Sequence, residues 1–213
     1  MTVRFVHKYG PWALVTGASR GLGAEFARQL AARGLNLVLV ARSRPQLEQL
    51  ASELERAQGI QTRVVSLDLS RGDLLDVLAP VTDPLEVGLL VNNAGLSTVG
   101  PFLNQDADYL ARQLHTNARA ALILTRHYGS LMAERGRGGV IFLSSGSALH
   151  GTPWSAAYSG TKAYNLMLAE SLWAEWRPLG VDVLGFIAGL TRTPGMEANR
   201  PRPSPLVPLG LPE

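Results

Sequence analysis

From Trp12 onward the chain repeats one unit: a short, almost unbroken apolar run followed by a longer stretch with helical spacing. The runs are WALVTG, LNLVLVA (35–41), TRVVSLDLS, VGLLVNNAG (87–95), GVIFLSS (139–145) and VDVLGFIAG (181–189). The stretches between them carry apolar residues about one turn apart: Leu22, Phe26 and Leu30, then Leu47, Leu50 and Leu54. A long helical region runs to Arg135, with apolar Leu114, Leu122 and Ile123, and another spans 155–177. Strands with no polar alternation are buried on both faces, which requires a parallel sheet with helices on either side. The expected fold class is therefore α/β, a doubly wound parallel sheet of about six strands. All 213 residues read as one domain, with a proline-rich irregular tail from about residue 194 that cannot propagate a helix.

Composition removes several function classes. Apolar residues make up 46% of the chain, and no run reaches the ~18 residues of a membrane span. The first ten residues hold no hydrophobic signal core. Zero cysteines exclude disulfides, thiolate metal sites and cysteine nucleophiles within the chain, and no metal site is expected. The formal charge is only +3, with acids interspersed among scattered arginines, so no nucleic-acid partner is expected. These features fit a cytoplasmic protein that does not engage membranes. Of the twenty basic residues only two, Lys8 and Lys162, are lysines.

LVTGASRGLG, Leu14 to Gly23, supports two readings. Gly17-Ala18-Ser19-Arg20-Gly21 fits G-x-S-x-G, which would make Ser19 a nucleophile. Gly17, Gly21 and Gly23 also form a strand-to-helix turn able to cradle a phosphate at the positive end of the helix. His115, His127 and His150 are the distant bases open to a hydrolase, none with a recognisable acidic orienter. The phosphate reading gains support from residues further on: Asp68, NNAG (92–95), Asn117, Ser145 and YSGTK (158–162). Ser159 and Lys162 also spell S-x-x-K, but the partner motifs of a serine acylase are absent.

With Ser145 thirteen residues before Tyr158, this set resembles the short-chain dehydrogenase/reductase family from about Trp12 to Pro194. The resemblance implies a Rossmann-like sheet that binds a nicotinamide dinucleotide. It also implies that the family's last helix and strand are missing from the sequence. Unaided chemistry agrees with the motif. Tyr158 and Lys162 are i and i+4 on one helix face, and an adjacent ammonium can lower a tyrosine by roughly 1–3 units. A hydroxyl at Ser145 can stabilise a developing oxyanion.

The resemblance supplies the roles. Tyr158 exchanges the proton with a carbonyl or alcohol, Ser145 positions that substrate, and Lys162 holds the nicotinamide ribose. Asn117 anchors a water, and Asn92 ties neighbouring strands together. Gly17, Ser19, Arg20, Gly21, Leu22 and Gly23 form the pyrophosphate turn; Asp68 and Leu69 meet the adenine. Asn93, Ala94 and Gly95 border the adenine ribose, and Gly189 and Thr193 approach the nicotinamide. Where an NAD site usually has an acid after the second strand, this chain has VARSR. Arg42 there, with Arg20, suits a 2′-phosphate, so NADP(H) is expected over NAD(H). The small-molecule pocket is expected against Leu96, Leu149, Trp154 and Met196. A homo-oligomer, a dimer through the long helices, completes the expectation, with a non-catalytic NADP(H)-binding or regulatory protein as the alternative.

Overall fold

The structure is a computed structural model that describes residues 2–189. Thr193, Met196 and the tail expected from about 194 lie outside the described residues, as do any elements after Gly189. A short helix not anticipated from the sequence, α1 (Thr2–Tyr9), precedes β1 (Trp12–Thr16). Then come α2 (Gly21–Ala31), β2 (Asn36–Ala41), α3 (Arg44–Gln58), β3 (Thr62–Ser66), α4 (Leu74–Thr82) and β4 (Val87–Asn92). The second half contains α5 (Ala107–Leu114), α6 (Ala120–Arg135), β5 (Gly138–Ser145), α7 (Ala156–Trp176) and β6 (Val181–Ala188).

The six strands form one parallel sheet in the order β3-β2-β1-β4-β5-β6. Alternate residues of each strand serve opposite faces, which is why the apolar runs are nearly continuous. Leu14, Val38, Leu90 and Phe142 pack with Leu74, Leu124, Tyr128 and Met132 on one side. Ala13, Val15, Leu37 and Val91 pack with Ala27, Leu30, Leu47 and Leu50 on the other. The chain leaves β1 for β2 on one side and returns to β4 on the other, so a crevice opens between the carboxyl ends of β1 and β4.

Two helix faces differ from the sequence expectation. In α2 the buried stripe is Gly23, Ala24, Ala27, Leu30 and Ala31, while Leu22 and Phe26 are only half-buried. Small residues bring this helix close to the sheet, which a leucine stripe would prevent. In the long helical region the core contacts are Ala120, Ala121, Leu124, Tyr128 and Met132; Leu114 and Leu122 are exposed. This region is also not one uniform helix. A π turn over His115–Arg119 separates α5 from α6 and turns Asn117 inward, where it is buried.

At the opposite end of the sheet, α1 closes the amino ends of the strands. The Tyr9 hydroxyl donates to Asp182 Oδ2 at 2.5 Å, Lys8 pairs with the same carboxylate, and the Tyr9 ring lies against Gly139. The motif residues gather at the carboxyl ends, which no helix among the described residues closes in this way.

Candidate active site

β1 runs straight into the glycine turn. Gly17 has a φ of +66°, a left-handed conformation that a side chain strains, and an added Cβ would press on the Ala94 backbone. A Cβ at Gly23 would overlap the Gly17 carbonyl oxygen and Asn93 Nδ2. Two backbone segments therefore pass too close for any other residue at these positions. Gly23→Ala is expected to cost about 1–3 kcal/mol by overpacking and to lower the Tm by roughly 3–10 °C, read by calorimetry.

The Thr16 hydroxyl fastens this turn to β4. It donates to Val91 O (3.1 Å) and accepts from the backbone N–H groups of Asn93 (3.0 Å) and Ala94 (3.1 Å). Asn93 Nδ2 donates to Thr16 O and Gly17 O. The cross-strand tie expected of Asn92 thus belongs to Asn93; Asn92 instead donates to Thr125 Oγ1 of α6 (2.9 Å). Thr16 was not legible as a site residue, because a threonine ending a buried strand carries no pattern of its own.

Ser19 is half-buried just before α2, and Arg20 caps that helix without a side-chain hydrogen bond to it. Among the described residues no histidine hydrogen-bonds Ser19. His127 stacks edge-on against Tyr128, His150 sits over Gly151 O, and His115 is exposed in the π turn. The nucleophile reading of Ser19 has no base to support it.

The neighbouring crevice wall is set by the ends of β2 and β3. Arg42 and Arg20 both project as exposed side chains. Asp68 Oδ1 accepts from Ser70 N (3.0 Å) and Ser70 Oγ (2.8 Å), while Oδ2 pairs with Arg112 at 3.5 Å. Burial pushes the Asp68 carboxyl up, but the Ser70 bonds and the charges of Arg112 and Arg42 more than offset this, leaving it below its ordinary value. Leu69 is a core residue, so only its backbone is available to a ligand.

Across the crevice, β5 ends at Ser145 and the first two turns of α7 carry Tyr158 and Lys162. The Ser145 hydroxyl neighbours the Tyr158 phenol closely enough to draw its pKa down. Lys162 is buried, with Nζ donating to Leu143 O at 2.7 Å and standing 5.7 Å from the Tyr158 ring centre. Its backbone is pinned too, since Ser144 Oγ donates to Lys162 O (2.9 Å). Burial pulls the Lys162 ammonium down to about 8. Burial raises Tyr158 above its ordinary value, and Ser145 draws it part of the way back. The expected lowering of the tyrosine by the lysine is therefore not what this geometry produces. The amine is turned to a strand carbonyl, and both groups are desolvated.

Asn117 clamps the loop after β4. Its Oδ1 accepts from Leu96 N (2.7 Å), and its Nδ2 donates to Leu96 O (2.8 Å) and Thr161 Oγ1 (3.0 Å). Gly95 passes beside it, near enough that an added Cβ would stand 3.6 Å from both Asn117 Oδ1 and Lys162 Nζ. Gln113 and Asn165, missed from sequence, support the clamp. Gln113 Nε2 donates to Leu96 O, and Asn165 Nδ2 donates to the Asn117 carbonyl within the π turn.

Beyond Ser145, an open groove of about 600 Å³ runs along Ser147, Leu149, Pro153, Ala156, Ser159 and Ala163. Leu149 is thus a wall as expected, while Leu96 and Trp154 do not line this groove. Trp154 instead bridges two loops. It holds a φ of +61°, and its carbonyl accepts from Gly100 N at 2.8 Å. Gly189 follows directly on β6, at the carboxyl edge of the sheet.

Residues 11–204 match the sequence profile described as short chain dehydrogenase. A very-long-chain 3-oxoacyl-CoA reductase from Neurospora crassa is 39% identical over 191 residues, 87% of this chain. The chain spans only 58% of the length of that relative. A 7beta-hydroxysteroid dehydrogenase from Collinsella aerofaciens is 32% identical over 91% of the chain and 74% of its own length. A short-chain dehydrogenase from Sphingobium yanoikuyae, solved in complex with NADPH, superposes with a TM-score of 0.82 at 32% identity, covering 89% of this chain and 75% of that one. The chain belongs to the short chain dehydrogenase family.

Proposed function

We propose that the chain is an NADP(H)-dependent oxidoreductase acting between a carbonyl and its alcohol. The observation that carries this reading is the meeting of Ser145, Tyr158 and buried Lys162 at the carboxyl end of β5, beside a crevice walled by the glycine turn. The turn suits a dinucleotide. Gly17 and Gly23 leave no Cβ in the cradle, and α2 begins with no side-chain cap on its N–H groups, which a pyrophosphate would satisfy. When bound, the dinucleotide supplies the hydride to the carbonyl carbon or takes it from the alcohol.

The residues of the chain handle the rest. Ser145 hydrogen-bonds the carbonyl oxygen and favours the charge that grows there. Tyr158, neutral at pH 7 and held further from ionisation by burial, delivers the proton in reduction and takes it back in oxidation. Lys162 holds the nicotinamide ribose and favours the phenolate when Tyr158 gives up its proton. Asn117 fixes the loop at Gly95 and Leu96 that borders the crevice, and Thr193 and Gly189 are assigned to the nicotinamide side.

Arg20 and Arg42 support NADP(H) over NAD(H). A charge-assisted bond to a 2′-phosphate is worth roughly 1.5–3 kcal/mol. Arg42→Ala is accordingly expected to weaken NADPH binding about 10-fold or more and to leave NADH binding unchanged, measured by paired fluorescence titrations. Equal loss for both dinucleotides would remove Arg42 from the 2′-phosphate.

Apolar walls and the named activities of the two relatives support a substrate with a large apolar group. A panel of a 3-oxoacyl thioester, a ketosteroid and an aryl ketone tests this by following NADPH oxidation. No turnover by folded, NADPH-binding protein would leave the non-catalytic binding protein as the reading. The proposal includes a dimer, supported by exposed Leu114, Leu122 and Leu131 in the long helical region and exposed Tyr164, Met167 and Trp173 of α7. It keeps the cytoplasmic location expected from the composition. Among the described residues no helix is long and apolar enough to cross a membrane.

A further inference from the structure

SSGS (144–147) holds three serines in four residues, and the structure gives each a different task. Ser144 is turned inward, donating to Lys162 O. Ser145 faces Tyr158. Ser147 turns back on Ser145: its hydroxyl donates to Ser145 Oγ at 3.1 Å and its backbone N–H donates to the same oxygen at 3.3 Å.

A serine oxygen has two lone pairs and one proton. Both acceptor positions of Ser145 are occupied by Ser147, so the one capacity left to it is donation. We propose that Ser147 is a positioning residue that commits Ser145 to donate its proton, first to the Tyr158 oxygen and then to the substrate carbonyl. This rests on the roles given above to Ser145 and Tyr158. Without Ser147 the Ser145 hydroxyl can rotate and accept from the phenol instead, which favours neutral tyrosine and opposes the phenolate. With it, the hydroxyls form a one-way chain, Ser147 to Ser145 to Tyr158. The half-buried Ser147 also lines the apolar groove, so the chain begins where the body of a substrate would rest.

The charges around Tyr158 leave this chain to act. Lys162 is the charged neighbour on α7, while β5 and the turn at 146–148 carry no charged residue. The loop 94–104 carries none. His150 is exposed and bonded at Gly151, Arg112 pairs with Asp68, Arg119 donates to Arg71 O and Gly72 O, and His115 is exposed.

The test compares wild type, Ser147→Ala and Ser147→Thr. With NADP⁺ and the alcohol of the best substrate in the panel, kcat for oxidation rises with pH as Tyr158 becomes phenolate. Loss of one hydrogen bond is expected to lower kcat about 3- to 10-fold in Ser147→Ala and to move that rise upward by roughly half to one pH unit. KM should stay within about twofold, and Ser147→Thr should restore both kcat and profile. A fall in kcat with an unmoved profile, or no rescue by threonine, would assign Ser147 a merely structural role and overturn the proposal. The ionisation of Tyr158 is also read without turnover, from phenolate absorbance by difference against Tyr158→Phe. An unchanged Tyr158 titration in Ser147→Ala sinks the proposal even if the enzyme is active. A raised titration in an inactive wild type would instead uphold the hydroxyl chain and refute the enzymatic reading.

Discussion

Tyr158→Phe should reduce carbonyl-dependent NADPH oxidation by ~10²–10⁴-fold, the range expected when a positioned general acid is removed. NADPH affinity should change by no more than about threefold, since the ring stays in place and only the oxygen is lost. Stability should be nearly unaffected for the same reason. The phenol neighbours Ser145 at the mouth of the crevice, and the ring still packs beside Lys162. The pH profile of the wild type provides a second check. Burial raises Tyr158, so reduction should be level through neutral pH and decline only on the alkaline side, where the acid is lost. The readouts are single-turnover rates, a fluorescence titration and a melting curve, taken on one preparation. A variant that keeps full activity removes Tyr158 as the proton carrier, whereas one that melts early would show a packing defect rather than a chemical one.

The sheet was legible because burial on both faces of the inner strands leaves a one-dimensional trace; the half-exposed edge strands β3 and β6 kept apolar runs as well, and all six runs are parallel strands. The motif residues were legible for a related reason. Gly17 and Gly23 stand where no side chain fits, and Ser145, Tyr158 and Lys162 have fixed offsets because they sit on one strand end and one helical turn. What sequence alone obscured depends on contacts between distant segments. Thr16, Gln113 and Asn165 are ordinary polar letters until the turn at Gly17, the loop at Leu96 and the π turn at Asn117 come together around them. The buried faces of α2 and α6 include alanines that leucine spacing does not reveal. Close packing against the sheet selects the small residues and leaves Leu114 and Leu122 outside. Direction of hydrogen bonding was also beyond the letters, and it is the direction of the bonds among Ser144, Ser145 and Ser147 that separates their tasks.

Lys162→Met should give a chain that is more stable and nearly inactive. Lys162 is buried with a strand carbonyl as its hydrogen-bond acceptor, and burial pulls its ammonium from 10.5 down to about 8. Below pH 8 both folded and unfolded chains hold the proton, so the folded state bears the whole penalty, of order 3 kcal/mol. Between pH 8 and 10.5 the unfolded chain binds a proton that the folded chain does not, so this contribution to stability rises with pH across that window. Methionine fills the same space without the charge and forfeits one hydrogen bond. The net gain at pH 7 should be about 1–3 kcal/mol, a Tm higher by roughly 3–10 °C, shrinking as the pH climbs from 8 toward 10.5. Turnover should fall at least ~100-fold if Lys162 has the roles proposed for it at Tyr158 and the nicotinamide ribose. A chain with two lysines among twenty basic residues places one of them where it costs stability, which is the pattern expected when chemistry rather than packing selects a group. Should Lys162→Met melt below the wild type at pH 7, the bond to Leu143 would outweigh the buried charge, and Lys162 would be a structural pin between α7 and β5 instead.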